Sequence, residues 1–522
     1  MSSVLDEVFE TFEPSPEFVS VMAASKPAVA LSLDIGTSGV RAALFDERGR
    51  EIDGASARTN RILPASVDLD ELDADELVQQ VARTIDALFA RSYQASARIE
   101  LVAISCFWHS LVGIDSEGKA TTPVLGWAET RAAQAAEELR SRFNETEIHA
   151  RTGCRFHPSY WPAKVLWLSK ERPSVFASTR RWLSFADYLT LRLFGETTTS
   201  LSLASGTGLL DQRARAWDHD LARALDISVE SLPEIAPPDH RFIGLTNEYA
   251  LRWPQLSFAR FFPAIADGAA NNIGAGCVSV DRAALMIGTS GAMRVLYEGE
   301  PPGELPSELW CYRADRTRVV VGGALSDGGG LYAWMKVSLA LNDLDESIER
   351  ALGAIEPDSH GLTVLPFWAG ERSSGWSTKA RGAVLGLTSR TRPIEILRAS
   401  MEAVAYRFAL IAGALDRIAP DATVVASGNA LRASPVWTQM IADVLARPVS
   451  LCGLSEASTR GAALIALEAA GKIDNIEAVA IPFERVYEPD MARHARYREG
   501  FERQQEIYEL MIGHRDTESR SK

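Results

Sequence analysis

AVALSLDIGTSGVRAALFD, residues Ala28–Asp46, is the stretch whose reading decides the fold. A mostly apolar run, Ala28–Leu33, delivers Asp34 into the small-residue turn Gly36-Thr37-Ser38-Gly39. A second run, Val40–Phe45, carries Arg41 and ends at Asp46. Strand, Gly-rich turn, strand is a hairpin whose bend exposes backbone N–H groups and hydroxyls beside one carboxylate. Amides gathered in such a bend bind anions, and a carboxylate next to them can hold a hydrated Mg²⁺. Taken alone, the stretch reads equally well as an ordinary hairpin turn with a capping Asp.

Repetition separates the two readings. Leu285-Met286-Ile287 leads into Gly288-Thr289-Ser290-Gly291 and then Ala292–Leu296, again with an Arg, Arg294, shortly after the turn. Two such hairpins facing one another across a cleft can grip a polyphosphate from both sides. A P-loop is excluded, because no G-x-x-x-x-G-K-[ST] occurs and a strand rather than a helix follows each turn.

A chain of 522 residues exceeds one ordinary core, so two large domains are expected. Its net charge of −15 argues against nucleic acid and against an anionic membrane surface as partners. An anionic substrate stays open, since local amides and a few Arg residues reverse the field inside a cleft. The five cysteines are scattered with no CxxC spacing, which supports neither a zinc site nor a disulfide framework and suits a reducing cytoplasm. No apolar run approaches a membrane span, and the acidic start lacks the pattern of a signal peptide. Residues 1–26 read as an extension, 27–278 and 279–512 as two domains, and 513–522 as a tail.

After the first hairpin, Leu77, Val81, Ile85 and Leu88 fall on one helical face within Asp73–Tyr93, and Ile99–Ser105 is a β-rich run. Two antiparallel strands, a helix and another strand indicate a mixed sheet with helices packed on it. Asp267–Gly276, DGAANNIGAG, is small and Gly-rich and reads as a loop ahead of the second hairpin. Helical periodicity returns in Gly330–Leu341, Ile394–Ala412, Pro435–Leu445 and Ser458–Ala470. Two halves that open on the same hairpin suggest an internally duplicated fold.

The combination resembles the FGGY carbohydrate kinases, members of the actin/hexokinase-like ATPase superfamily, from Ala28 to about Tyr508. DIGTSGVRAALFD is similar to that family's first phosphate motif, IADGAANNIGAG to the segment carrying the catalytic Asp, and MIGTSGAMRVL to the second phosphate motif. VVASGNALRASPVWTQMIADVLARPV with EASTRGAALIAL is similar to its C-terminal signature. The resemblance implies an α/β fold of two actin-like (ribonuclease H-like) domains, each a mixed five-stranded sheet flanked by helices, with the active site in the interlobe cleft. It implies ATP and Mg²⁺, a small-molecule sugar or sugar-acid substrate, and leaves a homodimer open.

Phosphoryl transfer to a hydroxyl needs a base, a metal on the phosphates, and donors for the equatorial oxygens. On the residues alone, Asp267 is either a general base or the cap of a following helix; the resemblance implies the base. It further implies Asp34 as a Mg²⁺ ligand through water, with Gly36, Thr37, Ser38 and Arg41 on one side of the phosphates and Gly288 and Thr289 on the other. Gly322-Gly323-Ala324 and Gly428-Asn429-Ala430 are the expected nucleotide loops, since Gly lets backbone approach a ligand closely. Relatives usually carry another Gly at Asn429; Asn tolerates left-handed backbone, so that loop survives.

For the sugar, Trp127-Ala128-Glu129-Thr130-Arg131 is similar to the family's W-x-[DE]-x-R motif, and His109 falls where many relatives place a sugar-contacting His. GWAETRA, RTGC followed by His157-Pro158-Ser159-Tyr160, and ASGTGL resemble the gluconate-kinase branch. Arg131, His157 and Lys164 are the implied cationic contacts for a sugar-acid carboxylate, although Lys164 alone reads better as a helix-surface lysine. Gluconate is the first expected substrate; xylulose, glycerol or another polyol is the alternative. An ATP-driven switch protein and an inactive sugar or nucleotide sensor are the rivals of another class. Leu365–Arg372, LPFWAGER, matches a common family loop and is assigned no chemistry.

Overall fold

In a computed structural model describing residues 29–61, 71–91, 99–454 and 456–513, the opening hairpin forms as its pattern requires. β1 (Val29–Gly36) pairs antiparallel with β2 (Gly39–Phe45), Asp34 opposite Arg41, and Gly36 opposite Gly39 closes a two-residue loop. β2 continues antiparallel into β3 (Glu51–Asn60), and β4 (Ile99–Cys106) runs parallel to β1 with Ser105 beside Asp34. The short pairs Arg260–Phe261 and Ile265–Ala266 extend the free edge of β4.

The second half repeats this order. β5 (Arg282–Ile287) and β6 (Gly291–Glu298) form the second hairpin. β7 (Trp310–Arg313) pairs with β8 (Arg318–Leu325), which lies against β6. β9 (Thr423–Ser427) runs parallel to β5, followed by β10 (Val449–Cys452) and β11 (Phe483–Tyr487). The duplicated five-strand core is therefore β8-β6-β5-β9-β10, matching β3-β2-β1-β4 and its short edge strands. β7 and β11 are additions that make this sheet seven-stranded. β7, with the mixed sequence Trp-Cys-Tyr-Arg, has no alternation that would reveal it; all four of its side chains are buried because the first half packs over them.

Ala30, Leu31, Ser32 and Leu33 are successive and all fully buried, so both faces of the first sheet are covered. A strand buried on both faces reads as a continuous apolar run rather than as an alternation. Each of the two leucines contributes roughly 1.5–3 kcal/mol on burial. α1 (Ala74–Arg91) covers the face of β2 and β3. The helix packed on β1 and β4 comes from far along the chain. Among helices with labels here, α2 is Asp267–Gly274, α3 Gly329–Ser338, α4 Pro393–Leu415 and α5 Ala457–Ala469. α5 places Ala462, Ala463, Leu464, Ala466 and Leu467 in the first sheet's core, and Ser32 Oγ donates to the Thr459 carbonyl at 2.6 Å. A cut near residue 279 thus divides the sequence but not the packing.

α5 crosses α2 so closely that only Gly fits at the contact. A Cβ on Gly274 would lie 1.7 Å from the Ala457 carbonyl oxygen, and one on Gly461 1.8 Å from that of Ala270. Both helices begin at the same cleft, which fixes where Asp267 sits. The segment expected as a loop at Asp267–Gly274 is a helix, with Asp267 as its first residue. The extension 1–26 and residues 514–522 of the tail lie outside the described residues. None of the described helices is long and apolar enough to cross a membrane.

Candidate active site

The two hairpin turns and the starts of α2, α3 and α5 line one cleft of about 960 Å³. The same tetrapeptide builds two different turns. Gly36–Gly39 is a two-residue loop, whereas Ile287 opposite Gly291 leaves Gly288, Thr289 and Ser290 as a three-residue loop. In the first, Arg61 ties back both turn carbonyls: its N–H donates to Ser38 O at 3.0 Å and its guanidinium donates to Thr37 O. In the second, the first amides of α3 do so, with Gly329 N donating to Gly288 O at 2.8 Å and Gly330 N to Thr289 O at 2.9 Å. Gly36, Thr37, Ser38, Gly288 and Thr289 all face the cleft.

Arg41 is not an outward, solvated arginine. Its Nη1 donates to Asp34 Oδ2 at 3.0 Å, and its Nε lies 3.0 Å from Glu456 at the start of α5. Asp34 also accepts from Ser105 Oγ at 3.0 Å. Burial pushes its carboxyl up despite Arg41 and Ser105, so the ionised form is held at a cost. Glu456, raised by burial too, and Arg58 share this wall.

Asp267 sits where this cleft meets a smaller chamber and lines both. Its Oδ1 accepts from Gly268 N at 2.8 Å, so the carboxylate occupies the first turn of α2 rather than capping it from outside. Burial raises its pKa to about 6, with Arg294 opposing and Asp34 reinforcing the shift. A carboxylate near 6 is a stronger base than a solvated one and still ionised at neutral pH. Gly268 has a packing reason: a Cβ there would meet Trp108 at 2.3 Å and Arg294 Nη1 at 2.6 Å. Arg294 of the second hairpin reaches α2, donating from Nε to Asn272 Oδ1 at 3.0 Å and from Nη2 to Asn271 Oδ1 at 3.2 Å.

The expected nucleotide loops divide. Gly322 and Gly323 lie inside β8 and away from the cleft; a Cβ on Gly322 would meet Met293 O at 2.4 Å, and one on Gly323 would meet Ile411 at 2.7 Å. Their close approach is to neighbouring strand and helix, which corrects the ligand assignment. Gly428, Asn429 and Ala430 do face the cleft. Gly428 supplies the left-handed residue with φ 95°, and Asn429 begins a short helix, so the loop never asks Asn429 for left-handed backbone. Tyr332 and Trp437, stacked at 6.0 Å, form a flat wall of the cleft beside them that the sequence did not single out.

The chamber is aromatic, lined by Trp108, Trp127, Tyr160, Trp310, Tyr312 and Trp376, with His109, Arg294 and Arg372 among them. His109 takes φ 68°, an unusual conformation for a non-glycine that costs of order 1–3 kcal/mol. Its Nδ1–H donates to Gly206 O at 2.6 Å, and burial keeps the ring neutral, leaving Nε2 as an acceptor.

Four other expected sugar contacts, Glu129, Arg131, His157 and Lys164, are spent within the protein. The Arg131 guanidinium donates to both Glu129 oxygens, at 2.9 and 2.5 Å, and stacks 4.7 Å over Trp167; neither residue lines the chamber. His157 stands behind the wall, accepting at Nδ1 from Ser159 N at 3.2 Å and donating from Nε2 to Glu371 O at 2.9 Å. Burial lowers its pKa to about 3, so it offers no positive charge at neutral pH. Lys164 is fully buried rather than on a helix surface, its Nζ donating to His109 O at 2.6 Å and Leu125 O at 3.2 Å. It orders the chamber wall from behind.

Comparison with known proteins accords with this architecture. Residues 29–262 match the N-terminal domain, and residues 283–470 the C-terminal domain, of the FGGY family of carbohydrate kinases. The chain is 28% identical to a gluconokinase of Bacillus subtilis, over 86% of this chain and 89% of that protein. Among solved structures it resembles a gluconate kinase from Lactobacillus acidophilus (26% identity, TM-score 0.83, 93% of this chain and 98% of the other). A xylulose kinase from the same organism superposes equally well (26% identity, TM-score 0.84, 93% and 98%). The duplicated sheets, the paired Gly-Thr-Ser-Gly turns and these matches together make the chain a member of the FGGY family of carbohydrate kinases.

Proposed function

We propose that the chain transfers the γ-phosphate of ATP to a hydroxyl of a sugar acid, with gluconate as the first substrate. The observation that carries this reading is Asp267, a raised carboxylate shared by a chamber of sugar-binding character and a cleft lined by two phosphate-type turns. Aromatic faces suit the apolar faces of a sugar, and His109 Nε2 accepts from one of its hydroxyls.

The acceptor hydroxyl lies against Asp267, which takes its proton as the oxygen attacks the γ-phosphorus. The phosphates lie between Gly36–Ser38 and Gly288–Thr289, with the hydroxyls of Thr37, Ser38 and Thr289 as donors to them, while Arg41 and Arg58 offset their charge. Gly428–Ala430, with Tyr332 and Trp437, receives the nucleoside end. Asp34 fits a hydrated Mg²⁺, being an oxygen donor on the cleft wall with an incompletely compensated buried charge. When bound, Mg²⁺ supplies neutralisation of the β- and γ-phosphates. Closure of the two halves excludes water and limits idle ATP hydrolysis. Five buried, unpaired cysteines suit the proposed cytoplasmic setting.

A pentulose is the second reading, favoured by the equal superposition of the xylulose kinase. Initial rates with gluconate, xylulose and glycerol separate them. Gluconate is expected to be fastest, and a pentulose or glycerol turned over far faster than gluconate would overturn the choice. The sensor alternative loses its motive, because Asn429 does not occupy the position that needs Gly.

A further inference from the structure

The chamber wall carries more positive charge than its own acid neutralises. Arg294 and Arg372 line it, against Asp267 as the single carboxylate, and His109 beside them is neutral. Arg294 is accounted for: two asparagines hold it and it faces Asp267. Arg372 differs from three other enclosed arginines, while Arg460 is held by backbone carbonyls alone. Arg313, Arg398 and Arg407 are each paired with a glutamate, whereas Arg372 forms no ion pair among the described residues.

Its neighbour Glu371 cannot serve. That carboxylate is bound by Arg407, by Tyr508 Oη at 2.8 Å, and by the amides of Gly375 and Ser377, each at 3.2 Å. The same bonds pin the loop that presents Arg372 and Trp376 to the chamber. Arg372 stacks 4.6 Å over the Trp127 ring and donates from Nη2 to Leu325 O at 3.0 Å, while its Nε is buried with no acceptor. That Nε is sealed from the chamber, as the Nε of Arg407 is, so what a ligand meets is the guanidinium charge, which an anionic oxygen in the chamber neutralises where no carboxylate does. Asp267 borders both cavities, but Arg372 borders the chamber and not the phosphate cleft. The anion it awaits therefore belongs to the acceptor rather than to the nucleotide.

We infer that Arg372 receives the carboxylate of a polyhydroxy acid, and so sets the preference of this kinase for an aldonate over a neutral sugar or polyol. It takes the part that the sequence assigned to Arg131, His157 and Lys164. The inference rests on the kinase reading above and deepens it.

The test compares wild type, Arg372→Gln and Arg372→Lys with two acceptors of matched shape, gluconate and its uncharged amide. Turnover is followed together with calorimetric binding of each acceptor without ATP. Wild type should favour the acid, and Arg372→Gln should raise KM and Kd for gluconate by roughly 10- to 100-fold while changing those for the amide little. Arg372→Lys should recover part of the discrimination, because the charge returns without the planar fork. Equal losses for acid and amide, or an unaltered preference for the acid in Arg372→Gln, would overturn the inference. A wild type that phosphorylates only neutral acceptors overturns it while leaving the kinase reading intact. Gluconate binding that depends on Arg372 without any acceptor-dependent ATP turnover upholds it and overturns the kinase reading.

Discussion

Asp267→Asn keeps the shape of the side chain, and the Asn oxygen can still accept from Gly268 N, but it removes the ionisable group. The structure gives this change two consequences of opposite sign. Burial lifts the Asp267 carboxyl from 3.8 to about 6 even with Arg294 facing it. At about 1.4 kcal/mol per pKa unit, holding it ionised costs the folded state at most about 3 kcal/mol, and partial contact with the cleft reduces that to roughly 1–2 kcal/mol. A raised carboxyl binds its proton more tightly folded than unfolded, so the cost is complete above about pH 6 and disappears below about pH 4. The asparagine variant should therefore be more stable than wild type at pH 8, and the two should converge at pH 4.

The same variant should lose roughly 10²–10⁴ in turnover, because the acceptor proton has no base. In wild type, kcat/KM should fall as pH drops through about 6, the range of the folded carboxyl. Urea unfolding at both pH values, paired with steady-state rates, reads out the two effects. A variant that is less stable than wild type at pH 8 would mean that Asp267 serves the fold. Near-wild-type turnover would remove it from the chemistry.

Two further outcomes follow from the corrected geometry. Asp34→Ala should lower Mg²⁺-supported turnover by about 10- to 100-fold, with a matching rise in the Mg²⁺ needed for half-maximal rate; an unchanged titration would detach Asp34 from the metal. Gly322→Ala forces a Cβ against the Met293 carbonyl and should cost about 1–3 kcal/mol of stability, while the folded fraction keeps its KM for ATP. A selective rise in that KM, at unchanged stability, would return Gly322 to the nucleotide site.

The hairpins were legible because each signal was local and doubled. An apolar run, GTSG and an arginine, recurring between residues 28 and 296, specify both strand pairing and the kind of turn. The difference between the two turns was not legible, since it depends on Arg61 in one case and on the start of α3 in the other. Gly322 and Gly323 were misplaced for a related reason. Glycine permits close approach to a ligand or to a neighbouring strand, and its own sequence context does not separate them.

Glu129 and Arg131 carry the family's W-x-[DE]-x-R pattern, but in the fold they bond to each other. His157 and Lys164 have the right chemistry for an acid, yet burial neutralises one and backbone carbonyls hold the other. Arg372 lay in plain view within LPFWAGER and received no role. Its meaning comes from which acids fail to reach it, and that is set by tertiary packing around Glu371 and Arg407. α5 was found as a helix, but its place in the first sheet's core depends on a crossing between Gly274 and Gly461, far apart in sequence.

The central claim is that phosphate passes from ATP to a sugar-acid hydroxyl. Its most direct test follows ADP and phosphorylated acceptor together, by mass spectrometry, in one reaction with ATP, Mg²⁺ and gluconate. The account predicts that the two appear one for one and that ADP formation collapses when the acceptor is left out. ADP released at the same rate without acceptor, or with no phosphorylated acid formed, would contradict it.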